Sequence, residues 1–283
     1  MLYYLLLLCL PVANCCQSIA QKQYNLKNEK PNVILFSAVT SLMALCFFLI
    51  TSGLRLDFTP ALIPYALAFG VAYSAGWVTT VLAVRYGLMS LSTLIVSCSL
   101  IFPTLYGVMT GEAVTAMKVA GMAMLLASIV LVNLKFDKGS RFSIKWFLCV
   151  MTAFFCNGAC AISQNMAKRA LGDGCSHEFM IIALSAACVL LFGFAFAASR
   201  SVREDFRGCI GYSAANGAAN AVINFLMLVL IGNIPNTVLY PTSSALNMIA
   251  AFLLGCIVYK ERFSRLQYVG YALGVASIVL LNI

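Results

Sequence analysis

Asn216, Asn220 and Asn224 recur at i, i+4 and i+8 in an otherwise apolar run. That spacing puts three amides on one face of a helix. Each amide can donate and accept a hydrogen bond without carrying charge. Similar groups gather elsewhere: Asn14, Gln17 and Gln21 share one face, Asn157 and Gln164 repeat its outer positions, and Tyr240, Ser244 and Asn247 share another. Tyr73, Trp77 and Thr80 form a more aromatic face. Amides and hydroxyls that converge on a watery space suit a small polar solute, and Trp77 or Tyr240 adds a stacking or cation–π surface. The plainer role for any one of them is interhelical glue, worth roughly 0.6 kcal/mol per bond in a membrane. Three amides on one face exceed what one helix contact needs.

The residue types needed for covalent or metal chemistry are missing from the apolar runs. No Asp or Glu lies within one, so a carboxylate-coupled proton relay has no obvious seat there. His177 is the one histidine, and most of the 12 cysteines lie in apolar stretches as small hydrophobes, with no CxxC pair in a polar loop. We therefore expect no catalytic residues, no metal and no cofactor. An intramembrane protease or lipid transferase would need a Ser–His pair, paired Asp or a metal cluster. Glu112 and Glu261 sit at helix ends, where they either favour the N-terminal dipole of the following helix or act as a gate latch or coupling acid. Lys22, Arg85 and Lys168 are also at helix ends, positioned to snorkel to headgroups; one turned inward would favour an anionic solute.

The elements that position these groups are membrane spans. Of 283 residues 62% are hydrophobic and 10% charged, against roughly 25% charged in soluble domains. Ten segments reach the length of about 20 residues that a span needs: 2–21, 32–52, 61–84, 88–110, 115–134, 144–167, 179–198, 209–231, 235–258 and 264–283. Met1–Leu10 has no basic region before it, and we read it as part of the first span rather than a signal peptide. The net charge of +9 sits in short loops, as topology determinants and contacts for membrane lipids do, with no separate basic domain for nucleic acid.

The chain also repeats itself. Gly121–Leu134 and Gly270–Ile283 share Gly, Ala, Ala-Ser-Ile-Val-Leu and Asn at an offset of 149, and Asn14, Ile19 and Gln21 match Asn157, Ile162 and Gln164 at an offset of 143. The expected fold class is an all-α membrane protein of ten transmembrane helices: a first five-helix repeat over 1–134, a central linker over 135–143 and a second repeat over 144–283. Five is odd, so the two repeats must be inverted relative to one another. In transporters such repeats place the solute site near the midplane between the halves. Loops after the odd-numbered helices hold 14 Lys and Arg and the others hold 4, so loop charge predicts extracytoplasmic termini.

The helix-end motifs Gly111-Glu112-x-x-Thr115-x-x-Lys118-x-x-Gly121 and Lys260-Glu261-x-x-Ser264-x-x-Gln267-x-x-Gly270 resemble those of the drug/metabolite transporter superfamily, in its ten-helix EamA branch. The resemblance spans the whole chain, and the second copy matches better because Lys118 replaces an amide in the first. It implies a multi-pass protein of the cell (plasma or inner) membrane, a monomer or homodimer, with a central cavity between the halves. Its function would be secondary transport, as exporter or exchanger, of a small polar metabolite, amino-acid-like solute or drug-like amphiphile. It also implies cytoplasmic termini, opposite to the loop charge. A non-transporting sensor or scaffold, or less readily an intramembrane enzyme, is the competing reading.

Overall fold

The computed structural model describes residues 2–27, 32–53, 59–86, 92, 95–133, 144–198, 202–258 and 264–282. Among the described residues there are ten α-helices and no strand: α1 (Leu2–Lys27), α2 (Val33–Thr51), α3 (Ile63–Tyr86), α4 (Ile101–Met109), α5 (Ala116–Asn133), α6 (Ile144–Leu171), α7 (Ser176–Ala198), α8 (Val202–Leu230), α9 (Asn236–Ile257) and α10 (Arg265–Leu281). Seven of these, α1–α3 and α6–α9, are long and apolar enough to cross a membrane. The α4 region (Ile95–Met109), α5 and α10 are apolar but shorter. The expected linker, 135–143, lies outside the described residues, as does Glu261.

Local sequence explains the ends. Asn32 Oδ1 accepts from the Leu35 N–H at 3.1 Å and caps α2. Ser264 and Gln267 form a reciprocal capping box at the start of α10. In the matching position before α5, Thr115 Oγ1 accepts from the Lys118 N–H at 3.2 Å. The fourth segment departs from expectation: a single span was expected over 88–110, but a 3-10 turn at Cys98–Leu100 precedes the nine-residue α4. Pro103 has no N–H to give the Ser99 carbonyl, so regular α-helical bonding cannot run through this point.

The helices pack in a defined set of pairs. α3 lies on α6 and α1 on α8; α2 lies on α8 and α3 on α7; α1 lies on α9 and α4 on α6. Further contacts join α2 to α7, α4 to α9, α5 to α10 and α9 to α10. Small residues set the closest approaches. A Cβ on Gly70 of α3 would sit 2.6 Å from the Ala183 carbonyl oxygen, 2.9 Å from Ala186 Cβ and 3.4 Å from the Ala187 nitrogen of α7. A Cβ on Gly217 of α8 would sit 2.7 Å from the Thr40 carbonyl oxygen, 2.6 Å from Met43 Cβ and 3.4 Å from the Ala44 nitrogen of α2. The close approach of α8 is at Gly217, while Gly211 faces open space. Gly121 packs on Leu280 and Leu281, and Gly270 packs on Leu131 and Val132.

The largest apolar core joins α2, α3, α7 and α8 through Phe48, Phe69, Phe179, Met180, Leu184 and Leu228. Outward-facing residues are equally apolar, for example Leu8, Val12, Val189, Phe194 and Ile257. Polar residues are therefore concentrated in the interior. Several, such as Ser37, Ser41, Ser74 and Thr104, return their hydroxyl to the carbonyl four residues back, which satisfies the group locally.

Candidate functional site

Two adjoining chambers lie inside the bundle and share Val96, Asn157 and Ala161 in their walls. The larger, about 660 Å³, is lined by polar groups of α1 (Asn14), the turn before α4 (Ser97, Ser99), α6 (Asn157) and α9 (Tyr240, Ser244, Asn247). The smaller, about 360 Å³, has an aromatic wall from α3 (Phe69, Tyr73, Trp77), while Gln17, Gln164, Asn220 and Asn224 supply amides from α1, α6 and α8. Phe69 and Tyr73 stack with centroids 5.8 Å apart, and the Trp77 ring meets Tyr73 edge-on at 6.3 Å. The interrupted fourth helix matters here, because the turn at Cys98–Leu100 brings Ser97 and Ser99 to the larger chamber.

A chain of hydrogen bonds orders the amides of the smaller chamber. Gln164 Nε2 donates to Asn224 Oδ1 at 3.3 Å, and Asn224 Nδ2 donates to Asn220 Oδ1 at 3.1 Å. The Tyr73 hydroxyl donates to the same Asn220 oxygen at 3.3 Å. This fixes which ends of the amides point into the chamber: Asn220 Nδ2 and Gln164 Oε1 have no partner among the described residues. In the larger chamber Asn14 Nδ2 donates to Asn247 Oδ1 at 3.1 Å and to the Leu10 carbonyl at 2.9 Å. Asn157 makes the equivalent bond to the Ala153 carbonyl at 2.9 Å.

A separate vestibule of about 590 Å³ lies among the end of α6, the α8–α9 turn and Glu112. Its walls include Asn165, Lys168, Arg169, Gly232 and Asn236. Gly232 takes φ 86° in the α8–α9 turn, a conformation open to glycine at little cost. Asn165 Nδ2 donates to the Tyr240 hydroxyl at 2.7 Å. Asn165 lines the vestibule and Tyr240 the larger chamber, so this bond stands between the two spaces.

One helical turn further out a second contact joins the same elements. Glu112 Oε2 accepts from the Thr237 N–H in the first turn of α9 at 2.9 Å, and Glu112 Oε1 lies 3.6 Å from Arg169 of α6. Gly111, at φ 89°, reverses the chain after α4 so that Glu112 folds back on it. Gly107 leaves room, for a Cβ there would meet Glu112 Oε2 at 2.5 Å and Asn236 Cβ at 2.9 Å. The acceptors Asn165 Oδ1, Asn236 Oδ1 and Thr237 Oγ1 are buried around this contact without a partner among the described residues.

Of the residues singled out in the sequence, Asn14, Gln17, Tyr73, Trp77, Asn157, Gln164, Asn220, Asn224, Tyr240, Ser244 and Asn247 line one or both chambers. Gln21 and Asn216 do not. Asn216 is fully buried and donates to Thr40 Oγ1 at 3.1 Å, tying α8 to α2. The asparagine stripe is therefore divided, its first member serving as glue. Glu112 does not act on the next helix in the chain: the carboxylate sits at the N-terminus of α9, because the Gly111 turn points it back across the bundle. Lys168 was expected to snorkel outward, but its ammonium donates to the Leu228 carbonyl and the residue lines the vestibule. The side chains of Lys22 and Arg85 lie outside the described residues. Asn165 was missed, although its place eight residues beyond Asn157 puts both on one face of α6. Ser97, Ser99 and Arg169 were missed as well; the serines belong to an irregular turn, and the partner of Arg169 is distant in sequence.

No family model matches the chain, and no curated protein matches it. The fold is similar to that of 29 solved chains. One is a protein crystal structure that is 15% identical, with a TM-score of 0.77 over 99% of this chain and 98% of that one. At that identity the likeness concerns the fold alone.

Proposed function

We propose that the chain is a multi-pass membrane protein of ten spans, two inverted five-helix repeats of EamA type, and that it works as a secondary transporter for a small solute. The observation that carries the transport reading is the pair of adjoining chambers, lined in part by amides and hydroxyls, inside a bundle whose outward-facing residues are apolar. Between the larger chamber and the vestibule stand the Asn165–Tyr240 bond and the apolar cluster that holds Tyr240 with Ile231, Ile234, Val238 and Leu239. Alternating access needs a central site and barriers that can open in turn.

What supports the repeat is the packing scheme. Adding five to each helix number, and subtracting it in the second half, turns α3–α6 into α8–α1, α2–α8 into α7–α3, and α1–α9 into α6–α4. The glycine contacts obey the same exchange. Gly70 and Gly217 meet atoms of the same kind, and the residues they meet (Ala183, Ala186, Ala187 and Thr40, Met43, Ala44) are each offset by 143. Gly121 and Gly270, with their partners Leu280, Leu281 and Leu131, Val132, keep the offset of 149. Tyr73 and Asn220, bonded to each other, occupy matching helices α3 and α8. With spans 1–5 and 6–10 inverted, matching helices meet at the pseudo-two-fold axis, where the cavity lies.

Solute counterflow in proteoliposomes tests the function. The wild-type chain is expected to exchange a labelled solute from a metabolite pool across the bilayer, and Asn220→Leu to lose that exchange while keeping its melting temperature within a few degrees. Absence of counterflow with every fraction of the pool would leave a sensor or scaffold as the better reading.

A further inference from the structure

We infer that the two chambers together bind an uncharged solute of the nucleoside class, with its heteroaromatic ring in the smaller chamber and its hydroxylated arm in the larger. Passage of the bound solute across the membrane rests on the transport reading; its binding does not.

Charge is the first discriminator. Among the described residues that line the chambers there is no Asp, Glu, Lys, Arg or His, and residues 86–111, which run through the fourth segment, contain none either. A solute carboxylate, phosphate or ammonium would enter without a counter-charge, which is costly away from bulk water. The charged groups Glu112, Lys168 and Arg169 are in the vestibule, beyond the Asn165–Tyr240 bond.

Shape and hydrogen bonding are the second. The smaller chamber offers the π-surface of Tyr73 and Trp77 together with amides held in one orientation by their own network. Asn220 Nδ2 remains as a donor and Gln164 Oε1 as an acceptor, and Gln17 has no partner among the described residues. A flat ring with donors and acceptors along its edge satisfies both the aromatic wall and the amides, as nucleobases do on aromatic platforms. A plain aromatic ring would leave the amides unpaired, and a polyol would leave the aromatic wall without a partner. The larger chamber has the complementary character. Ser97, Ser99, Ser244 and Asn247 line it, and it adjoins the smaller chamber at Val96, Asn157 and Ala161, the residues that one molecule reaching into both would pass. Each chamber, at about 660 and 360 Å³, is within the range of small-molecule sites.

The test is equilibrium dialysis of the full chain, purified in detergent, against labelled adenosine and uridine, with adenosine 5′-monophosphate, tryptophan and sorbitol as comparison solutes. At least one nucleoside is expected to bind saturably, with the monophosphate and the zwitterion weaker by at least about tenfold. Trp77→Ala is expected to weaken nucleoside binding by about tenfold, and Trp77→Phe, which keeps a ring, by much less. Thermal melting of each variant without solute separates lost binding from lost fold. Failure of both nucleosides to bind, or binding of the monophosphate or tryptophan as tight as the nucleoside, overturns the inference. Nucleoside binding without any counterflow upholds the ligand class and removes the transport reading. Counterflow of another solute without nucleoside binding does the reverse.

Discussion

Replacing Glu112 with Ala should open the barrier between the vestibule and the central cavity. In the present structure the carboxylate holds three elements together: its own α4 turn, the N-terminus of α9 through the Thr237 N–H at 2.9 Å, and Arg169 of α6 at 3.6 Å. A hydrogen bond to a charged acceptor contributes about 1.5–3 kcal/mol. The Arg169 side chain is 42% exposed, so the ion pair is screened and adds only about 0–1 kcal/mol. The dipole of α9 acts through the same N–H group and is not counted again. If these contacts exist only in the closed state, their loss removes about 2 kcal/mol from it and shifts the closed–open equilibrium by about 30-fold. Cys160, which lines the smaller chamber, reports the change. Sealed membrane vesicles of each orientation are treated with a membrane-impermeant thiol reagent, and modification is read by mass spectrometry of the peptide carrying Cys160, so the other cysteines do not interfere. In Glu112→Ala modification should accelerate by up to about 30-fold from the vestibule face and slow from the opposite face. Unchanged rates from both faces would refute the latch. Equal acceleration from both faces would also refute it, since that is general loosening rather than a shift between two states.

Tyr240→Phe deletes the hydroxyl that accepts from Asn165 and should give the same pattern at about a fivefold level, one neutral hydrogen bond being worth about 1 kcal/mol. Gly70→Leu and Gly217→Leu should each lower the melting temperature in detergent, and by similar amounts, because each forces a side chain into the same arrangement of a carbonyl oxygen and a neighbouring Cβ; a large effect at one and none at the other would count against matching halves. Ser264→Ala breaks the capping box of α10 and should destabilise the chain by about 1 kcal/mol, measured as a lower melting temperature that Ser264→Asp largely restores. A reporter enzyme fused after Ile283 should be active on the extracytoplasmic side if loop charge sets the topology; cytoplasmic activity would favour the orientation implied by the family resemblance.

The sequence determined what could be read from periodicity and composition. Apolar length marked most of the helices, and the Ser264–Gln267 spacing marked a cap that is present. It also put most of the cavity-lining amides on the correct faces, since one helix face is a matter of spacing alone. Tertiary structure decided the rest. Asn216 and Asn220 are on the same face of α8 and four residues apart. One meets Thr40 of α2 and is sealed, while the other reaches the chamber beside Tyr73. No local pattern distinguishes them, because the difference is which helix lies opposite. Glu112 likewise reads as a helix-end acid in sequence. It bridges α4, α6 and α9 only because Gly111 turns it back and Gly107 makes room, contacts that join residues 125 positions apart. The fourth helix was the hardest to foresee. Pro103 signalled a break in hydrogen bonding, but that the break would bring Ser97 and Ser99 to the cavity depended on how α1, α6 and α9 enclose it.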